Sequence, residues 1–480
     1  MSQHGGASTI AAALLVVAGS APALSAAPPP EPRRPERRLQ PVQPTPQGTV
    51  ALRALSSCAE TSSYLVEVAV ETVLSARYSR WYILPWAGGA EGDGAGDRPA
   101  DFSTTNNQEP GVDELDIVKT DGAHLFAVEG AELHALSSWP AEATRELSTV
   151  ATPDFAHGLF LRSDRVLVAS QVWSAEAELL RADGLTRLEL LDVSDASDPR
   201  SLRTIDVQGW LVDARLLGSD LYAVVRSQVA LPDEVWELAW RDDLGLPELA
   251  WDADEAERER VLALARSILS PLVAEMMSRT DVAGLLPRMR DRAAGEPEEP
   301  VMALLGCEEL YRPATAASLA VLSVMHFDLE SDGPVSAVGL LADGWTIYSS
   351  AEALYAAQSN SWWWWGWAPP AMATTIHKFE LAPEGAKPVR YAASGEVEGW
   401  ILDQFAMSEH EGYLRVATTE FDWWWGTTDG EAPASSVTVL ADDGRGSLAQ
   451  VGRGDGLGPG ERIFAVRFTR DTGHVGPFRQ

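Results

Sequence analysis

One pattern returns along most of this chain and narrows its fold more than any other feature: an apolar strand, a turn holding Asp or Gly, and a second apolar strand. Residues 158–169 read GLFLRSDRVLVA, and residues 210–224 and 337–348 repeat the form with turns at Gly218-Ser219-Asp220 and Asp343-Gly344. Each is a hairpin signature. Flanking strands such as Leu185–Val193 and Leu319–Leu329 run into Asp192-Val193-Ser194-Asp195 and Asp328-Leu329-Glu330-Ser331-Asp332. A unit of this size cannot bury both of its faces alone, so several must stack.

With insertions set aside, the units recur roughly every 50 residues, which fits propeller blades better than a sandwich. Residues 58–77 place Leu65, Val68, Ala69, Thr72 and Val73 on one helical face ahead of the strands. Residues 253–277 are a second helix, with Val261, Leu264, Ile268, Leu269 and Leu272 on one side and Pro271 kinking or ending it. Residues 232–300 are therefore expected to be a helical excursion.

The segment 106–122, NNQEPGVDELDIVKTDG, threads Asp113, Glu114, Asp116 and Lys119 among Val112, Leu115, Ile117 and Val118. Later come TTIHKF (374–379), ASGEVEGW (393–400), QFAMSE (404–409), LRVATT (414–419), Ser435-Ser436 and GERIFAVRF (460–468). In this order the blocks resemble a family of secreted bacterial β-propeller proteins distantly related to WD repeats, from about residue 55 to the end. The resemblance implies an all-β propeller with an N-terminal helix and a helical insertion, and it assigns no activity. Members of that family continue past the hairpin that ends here, so the resemblance implies an incomplete propeller of about four to five blades with an exposed final edge strand.

The expected organisation is a signal peptide at 1–26, a Pro-rich linker at 27–48, a helical segment at 49–85, a Gly/Asp-rich linker at 86–105 and the propeller domain at 106–480. Ile10–Ala18 is an apolar run too short to span a bilayer, and small residues at 21–26 offer cleavage sites. The n-region departs from the pattern, with His4 as its one basic candidate. Eight prolines between residues 27 and 48 imply an extended, mobile linker. No stretch reaches transmembrane length, so the expected location is secreted or periplasmic.

The formal charge is −33. It opposes nucleic acid and anionic membranes, favours basic partners, and equally serves solubility. Cys58 and Cys307 are either one long-range disulfide, as an oxidising compartment favours, or two buried thiols.

The remaining candidates each carry two readings. Asp113, Glu114, Asp116 and Asp121 are either weak calcium ligands or turn and strand-end caps, and no EF-hand spacing is present. Arg415 and Arg467 sit in apolar strands and call for partners such as Glu396, Glu409 and Glu461. Those pairs either link neighbouring blades or line a polar, ligand-binding channel. Trp362, Trp363, Trp364, Trp365, Trp367, Trp423, Trp424 and Trp425 occupy Gly- and Pro-rich surroundings, and are either a partner-binding surface or a folded-back lid. His377 is expected to be a strand residue satisfied by a neighbour. No HExxH, GxSxG, Walker or dinucleotide-binding motif occurs. The expected function is a non-catalytic binding or scaffold protein with a protein or glycan partner. The alternative is a carboxylate-dependent glycan- or peptide-acting enzyme in the channel.

Overall fold

The computed structural model describes residues 40–41, 51–78, 107–173, 184–250, 252–296, 300–314, 318–359, 373–382, 387–420 and 434–478. The expected signal peptide and all eight clustered tryptophans lie outside the described residues.

The N-terminal part contributes two short strands, β1 (Gln40–Pro41) and β2 (Arg53–Ala54), then helix α1 (Cys58–Tyr78) and strand β3 (Asp113–Glu114). Sheet I follows with β4 (Val118–Thr120), β5 (His124–Glu129), β6 (Glu132–Ser137) and β7 (Arg145–Ala151). Sheet II is built on β8 (Phe155–Arg162), β9 (Arg165–Val172), β10 (Leu185–Asp192) and β11 (Arg200–Gln208). Sheet III begins with β12 (Trp210–Leu217) and β13 (Asp220–Gln228). An insertion then supplies α2 (Asp233–Glu237), α3 (Glu255–Ser278), β14 (Arg288–Ala293), β15 (Met302–Ala303) and β16 (Leu310–Arg312). Sheet III resumes with β17 (Ala320–Asp328) and β18 (Ser336–Leu340). Sheet IV holds β19 (Thr346–Ser349), β20 (Ala353–Ser359), β21 (Ala373–Leu381) and β22 (Val389–Glu398). Sheet V holds β23 (Met407–His410), β24 (Tyr413–Glu420), β25 (Ala434–Asp442) and β26 (Leu448–Gly454). Strands β27 (Arg462–Thr469) and β28 (Thr472–Phe478) form a two-stranded sheet VI.

Each four-strand set is an antiparallel meander, and outlying strands extend three of them. Strands β14 and β15 widen sheet II beyond β11; β2 and β16 lie beyond β18 in sheet III; β1 lies beyond β26 in sheet V. Three expectations need correction here. Residues 337–348 are not a hairpin, because β18 pairs with β17 in sheet III while β19 pairs with β20 in sheet IV. The excursion at 232–300 is not wholly helical, since β14 joins sheet II by pairing with β11. Within the linker at 27–48, Gln40 and Pro41 pair with Arg453 and Gly452 rather than remaining unstructured.

The sheets pack face to face in chain order, and that explains the near-continuous apolar runs. In β9, Val166 and Val168 meet Phe126, Val128 and Leu133 of sheet I, while Leu167 and Ala169 turn to Leu216, Leu221 and Ala223 of sheet III. Alternate residues of one strand thus serve two interfaces. Sheets III and IV share Tyr222, Val224, Leu322, Leu354 and Phe379; sheets IV, V and VI share Tyr355, Ile376, Val416, Leu440 and Ile463.

Helix α1 starts where Ser57 Oγ accepts from Glu60 N, and it buries Leu65, Val68, Ala69 and Val73 as its spacing predicts, with Tyr64 buried as well and Thr72 half-buried. Helix α3 is capped by Asp254, whose side chain accepts from Glu257 N at 2.8 Å. It runs through Pro271 to Ser278 instead of ending there. Its buried stripe is Ala265, Leu269, Val273 and Met277, while Leu264, expected on the buried face, is 54% exposed. Ala265, Leu269, Val273 and Met277 share the core with the buried face of α1, and Arg266 donates to Glu71 of α1 at 2.9 Å. Cys58 and Cys307 form a disulfide with Cα atoms 5.1 Å apart, joining the start of α1 to the insertion.

Candidate functional site

The segment 107–120 is the hub of the molecule. It passes along the first strands of sheets V, IV, III and II before becoming the first strand of sheet I. Gln108 Nε2 donates to Met407 O at 2.9 Å and Gln404 O at 3.2 Å in sheet V and its approach. Tyr348 of β19 donates its hydroxyl to Glu109 Oε1 at 2.8 Å. Glu114 and Asp113 pair with Arg215 and Leu216 of β12. Asp116 bridges Leu159 of β8, where a Cβ on Gly158 would lie 2.9 Å from Asp116 O and 2.8 Å from Leu115 Cγ. Only a glycine allows that approach. Val118–Thr120 then becomes β4.

Charges within the hub are matched to one another. Arg215, 2% exposed, donates to Asp213 at 2.6 Å, Ile347 O at 3.0 Å and Gln404 Oε1 at 2.5 Å. Gln404 Nε2 in turn donates to Glu114 Oε2 at 3.1 Å. Lys119 Nζ donates to Asp113 Oδ1 at 2.8 Å and Glu114 O at 2.7 Å. Buried polar groups need such partners, and here they come from sheets I, III and IV and from the turn that leads into sheet V.

The four calcium candidates therefore have other partners. Asp113 takes Lys119, Glu114 takes Gln108 N and Gln404, and Asp116 accepts from Ile117 N. Asp121 accepts from Ala123 N and His124 N; partial burial raises its pKa, but the His124 and Ala123 contacts together hold its carboxyl below the usual range. Among the described residues no cluster of three or more His, Cys, Asp or Glu is placed to hold a metal ion.

The expected arginine–glutamate pairs are not the ones that form. Arg415 donates to Ser408 Oγ at 2.9 Å and to Arg470 O, with its guanidinium 4.8 Å from the Phe468 ring. Arg467 is exposed, because its strand belongs to the two-stranded sheet. Glu409 accepts from Ser350 Oγ, Glu461 contributes its carbonyl to Ser435 Oγ at 3.3 Å, and Glu396 is half-buried on β22. The buried pairing lies elsewhere. Asp206, fully buried on β11, takes Arg187 at 2.6 Å, Arg290 at 2.7 Å and Arg292 at 3.4 Å. Burial alone would raise its pKa, but Arg187 and then Arg290 hold it below the ordinary value. Asp206 escaped sequence reading because two of its partners arrive from the insertion.

His377 meets its expected neighbour: its Nδ1 lies 2.6 Å from Ser394 Oγ, and complete burial pushes its pKa down to about 4. Buried threonine and serine hydroxyls also acquire a role. Thr186 and Thr374, each second in the third strand of its sheet, donate to Gly209 O at 2.9 Å and Gly399 O at 2.7 Å. Thr419 and Ser435 stand 3.1 Å apart in the same layer.

These hydroxyls mark one end of the sheets, where second strands turn to third strands and fourth strands cross to the next sheet. Trp173 follows β9, Trp210 opens β12, Trp345 precedes β19 and Trp400 follows β22, so all four belong to this end. Trp173 and Trp345 are 55% and 57% exposed. Trp173 meets Trp210 edge-on at 4.3 Å, and Arg226 lies 4.7 Å over Trp345. The clustered tryptophans, in 360–372 and 421–433, lie outside the described residues; Ser359, Ala373, Glu420 and Ala434, which flank those stretches in sequence, are strand ends at this same end.

The family described as Beta propeller domain matches residues 102–480. An uncharacterized protein of Methanocaldococcus jannaschii is 24% identical over 80% of this chain and 59% of its own length. An uncharacterized protein of Archaeoglobus fulgidus is 37% identical over 22% of this chain and 14% of its own. The chain thus spans less than two thirds of the length of these relatives. Among solved structures, a hypothetical selenium-binding protein from Sulfolobus tokodaii aligns at 10% identity and a TM-score of 0.23, over 70% of this chain and 77% of that one. A functionally unknown protein from Desulfotomaculum acetoxidans aligns at 7% identity and the same score, over 77% and 93%. Scores this low inform neither fold nor function.

Proposed function

This chain belongs to the beta-propeller domain family, and from that premise we propose that it is an extracytoplasmic, non-catalytic binding or scaffold protein. Sheets I–V are read as five blades and sheet VI as part of a sixth. Partner contacts belong to the aromatic end. The observation that carries this reading is the 107–120 segment, whose side chains and main chain are engaged with the first strands of successive sheets, where a propeller enzyme would place its catalytic groups. The Cys58–Cys307 disulfide and the apolar N-terminal run support export.

The test is capture of glycans and cell-envelope components by the mature protein, compared with a Trp363→Ala/Trp365→Ala/Trp424→Ala variant. Loss of capture at an unchanged melting temperature supports binding by these residues. A large fall in melting temperature identifies them as packing residues and overturns that assignment. The enzyme alternative rests on Glu109 and Glu409, which both border Tyr348. Hydrolysis of envelope glycan or peptide that is lost in Glu109→Gln would establish it over the binding reading.

A further inference from the structure

We propose that the aromatic end docks an arginine-bearing, basic segment of a partner protein. This rests on the binding reading above and names its partner class.

The protein carries its own template for the contact. Arg226 lies over the Trp345 ring while its Nε and terminal nitrogen reach both oxygens of Asp343 at 2.6 and 2.9 Å. A guanidinium is held there between an indole face and a carboxylate, a geometry to which its planar fork is suited and an ammonium is not.

Trp173 presents the same two elements, an indole and the Asp154 carboxylate, with no arginine between them among the described residues. Its ring is more than half exposed, and its backbone N–H is held at 2.6 Å by Asp154 Oδ2. The exposed Phe155 adjoins it in sequence on β8. Bonds from Thr152 N to Ala131 O and from Ala156 N to Gly130 O bring the Glu129–Glu132 turn alongside. Residues 129–132 and 152–156 contain no Lys or Arg. Farther round the same end, Arg453 is shared by three carboxylates, Glu398, Glu420 and Asp455.

Among the described residues the carboxylates named at this end thus outnumber its arginines, and Arg226 and Arg453 already serve carboxylates. Neutral sugars want both donors and acceptors beside an open ring, whereas an arginine brings donors alone. The chain's net charge of −33 adds long-range attraction for a basic partner.

The experiment titrates the full chain against a fluorescent 12-residue peptide of alternating Arg and Gly/Ser, with Lys and Glu counterparts, by anisotropy at low and moderate salt. The Arg peptide should bind most tightly, the Glu peptide not at all. Trp173→Ala should weaken Arg-peptide binding about three- to tenfold, the scale of one partly exposed cation–π contact. Trp139→Ala, which removes a 74% exposed indole from the opposite end, should leave it unchanged. Three results would overturn the inference: no Arg-peptide binding, equal binding of Arg and Lys peptides untouched by Trp173→Ala, or equal effects of the two substitutions. Absence of Arg-peptide binding beside intact envelope capture sinks this inference and leaves the binding reading standing. Loss of both sinks both.

Discussion

Removing the Cys58–Cys307 disulfide should destabilise the protein through its unfolded state. The two cysteines are 249 residues apart, and their 5.1 Å Cα separation falls inside the unstrained range. For a loop of that length the chain-entropy model gives a stabilisation of about 5 kcal/mol. The native state should change little, because α1 has independent anchors. Leu55 N donates to Leu310 O at 2.9 Å, Arg53 pairs with Arg312, and Leu65, Val68 and Val73 are buried in the shared core.

A domain of roughly 400 residues unfolds with an entropy of about 0.8 kcal/mol/K, so a 5 kcal/mol loss lowers the melting temperature by about 6 °C. Calorimetry on the oxidised protein and on Cys58→Ser/Cys307→Ser measures the shift. Hydrogen exchange over 58–78 tests the stated cause. A shift under about 2 °C would refute the entropic magnitude. Loss of protection throughout α1 in the folded variant would refute its assignment to the unfolded chain, since the bond would then be holding the helix in place.

Three further outcomes are expected. Asp206→Ala leaves Arg187 and Arg290 without their shared carboxylate and should cost about 3–5 kcal/mol in chemical denaturation. His377 is protonated more readily in the unfolded chain, near pH 6.5, than in the folded one, at about 4. Its contribution is therefore complete above pH 6.5 and is lost as pH falls toward 4, by up to about 3 kcal/mol; His377→Gln should flatten that part of the stability–pH curve. Thr374→Val silences a fully buried hydroxyl bonded to Gly399 O and 2.9 Å from Ser359 Oγ, and should lower stability by about 1–3 kcal/mol at constant m-value.

The repeating part of the fold was legible because it is local. Hairpin turns such as Ser163-Asp164 and Ser219-Asp220 announce themselves within a few residues, and the spacing of Leu65, Val68 and Val73 suffices for α1. What stayed hidden depends on distant partners. The buried face of α3 was misplaced because periodicity left two stripes available, and only docking against α1 selects Ala265, Leu269 and Val273. Arg415 drew attention as a charge inside an apolar strand, and the same reasoning applies to Arg215, flanked by Leu211, Val212, Leu216 and Leu217. No local signal tells that Arg215 reaches Gln404, 189 residues away.

The 106–122 segment shows why a strong sequence signal was open to two readings. Acidic residues at 113, 114, 116 and 121 among apolar neighbours suit a cation site, and they also suit a strand threaded between sheets. A metal site needs its oxygens to converge on one point. A thread needs each to face a different partner, and these carboxylates diverge: Asp113 to Lys119, Glu114 to Gln404, Asp116 and Asp121 to backbone amides. Apolar Val112 seats the chain in the core, while the main chain supplies pairing to β12 and β8 in turn. A stretch with this duty must alternate apolar anchors with acceptors of fixed direction, since an unpaired amide or carboxylate among the strands would cost about 1–3 kcal/mol. That demand, made by several sheets at once on fewer than twenty residues, accounts for the composition of the segment without a ligand.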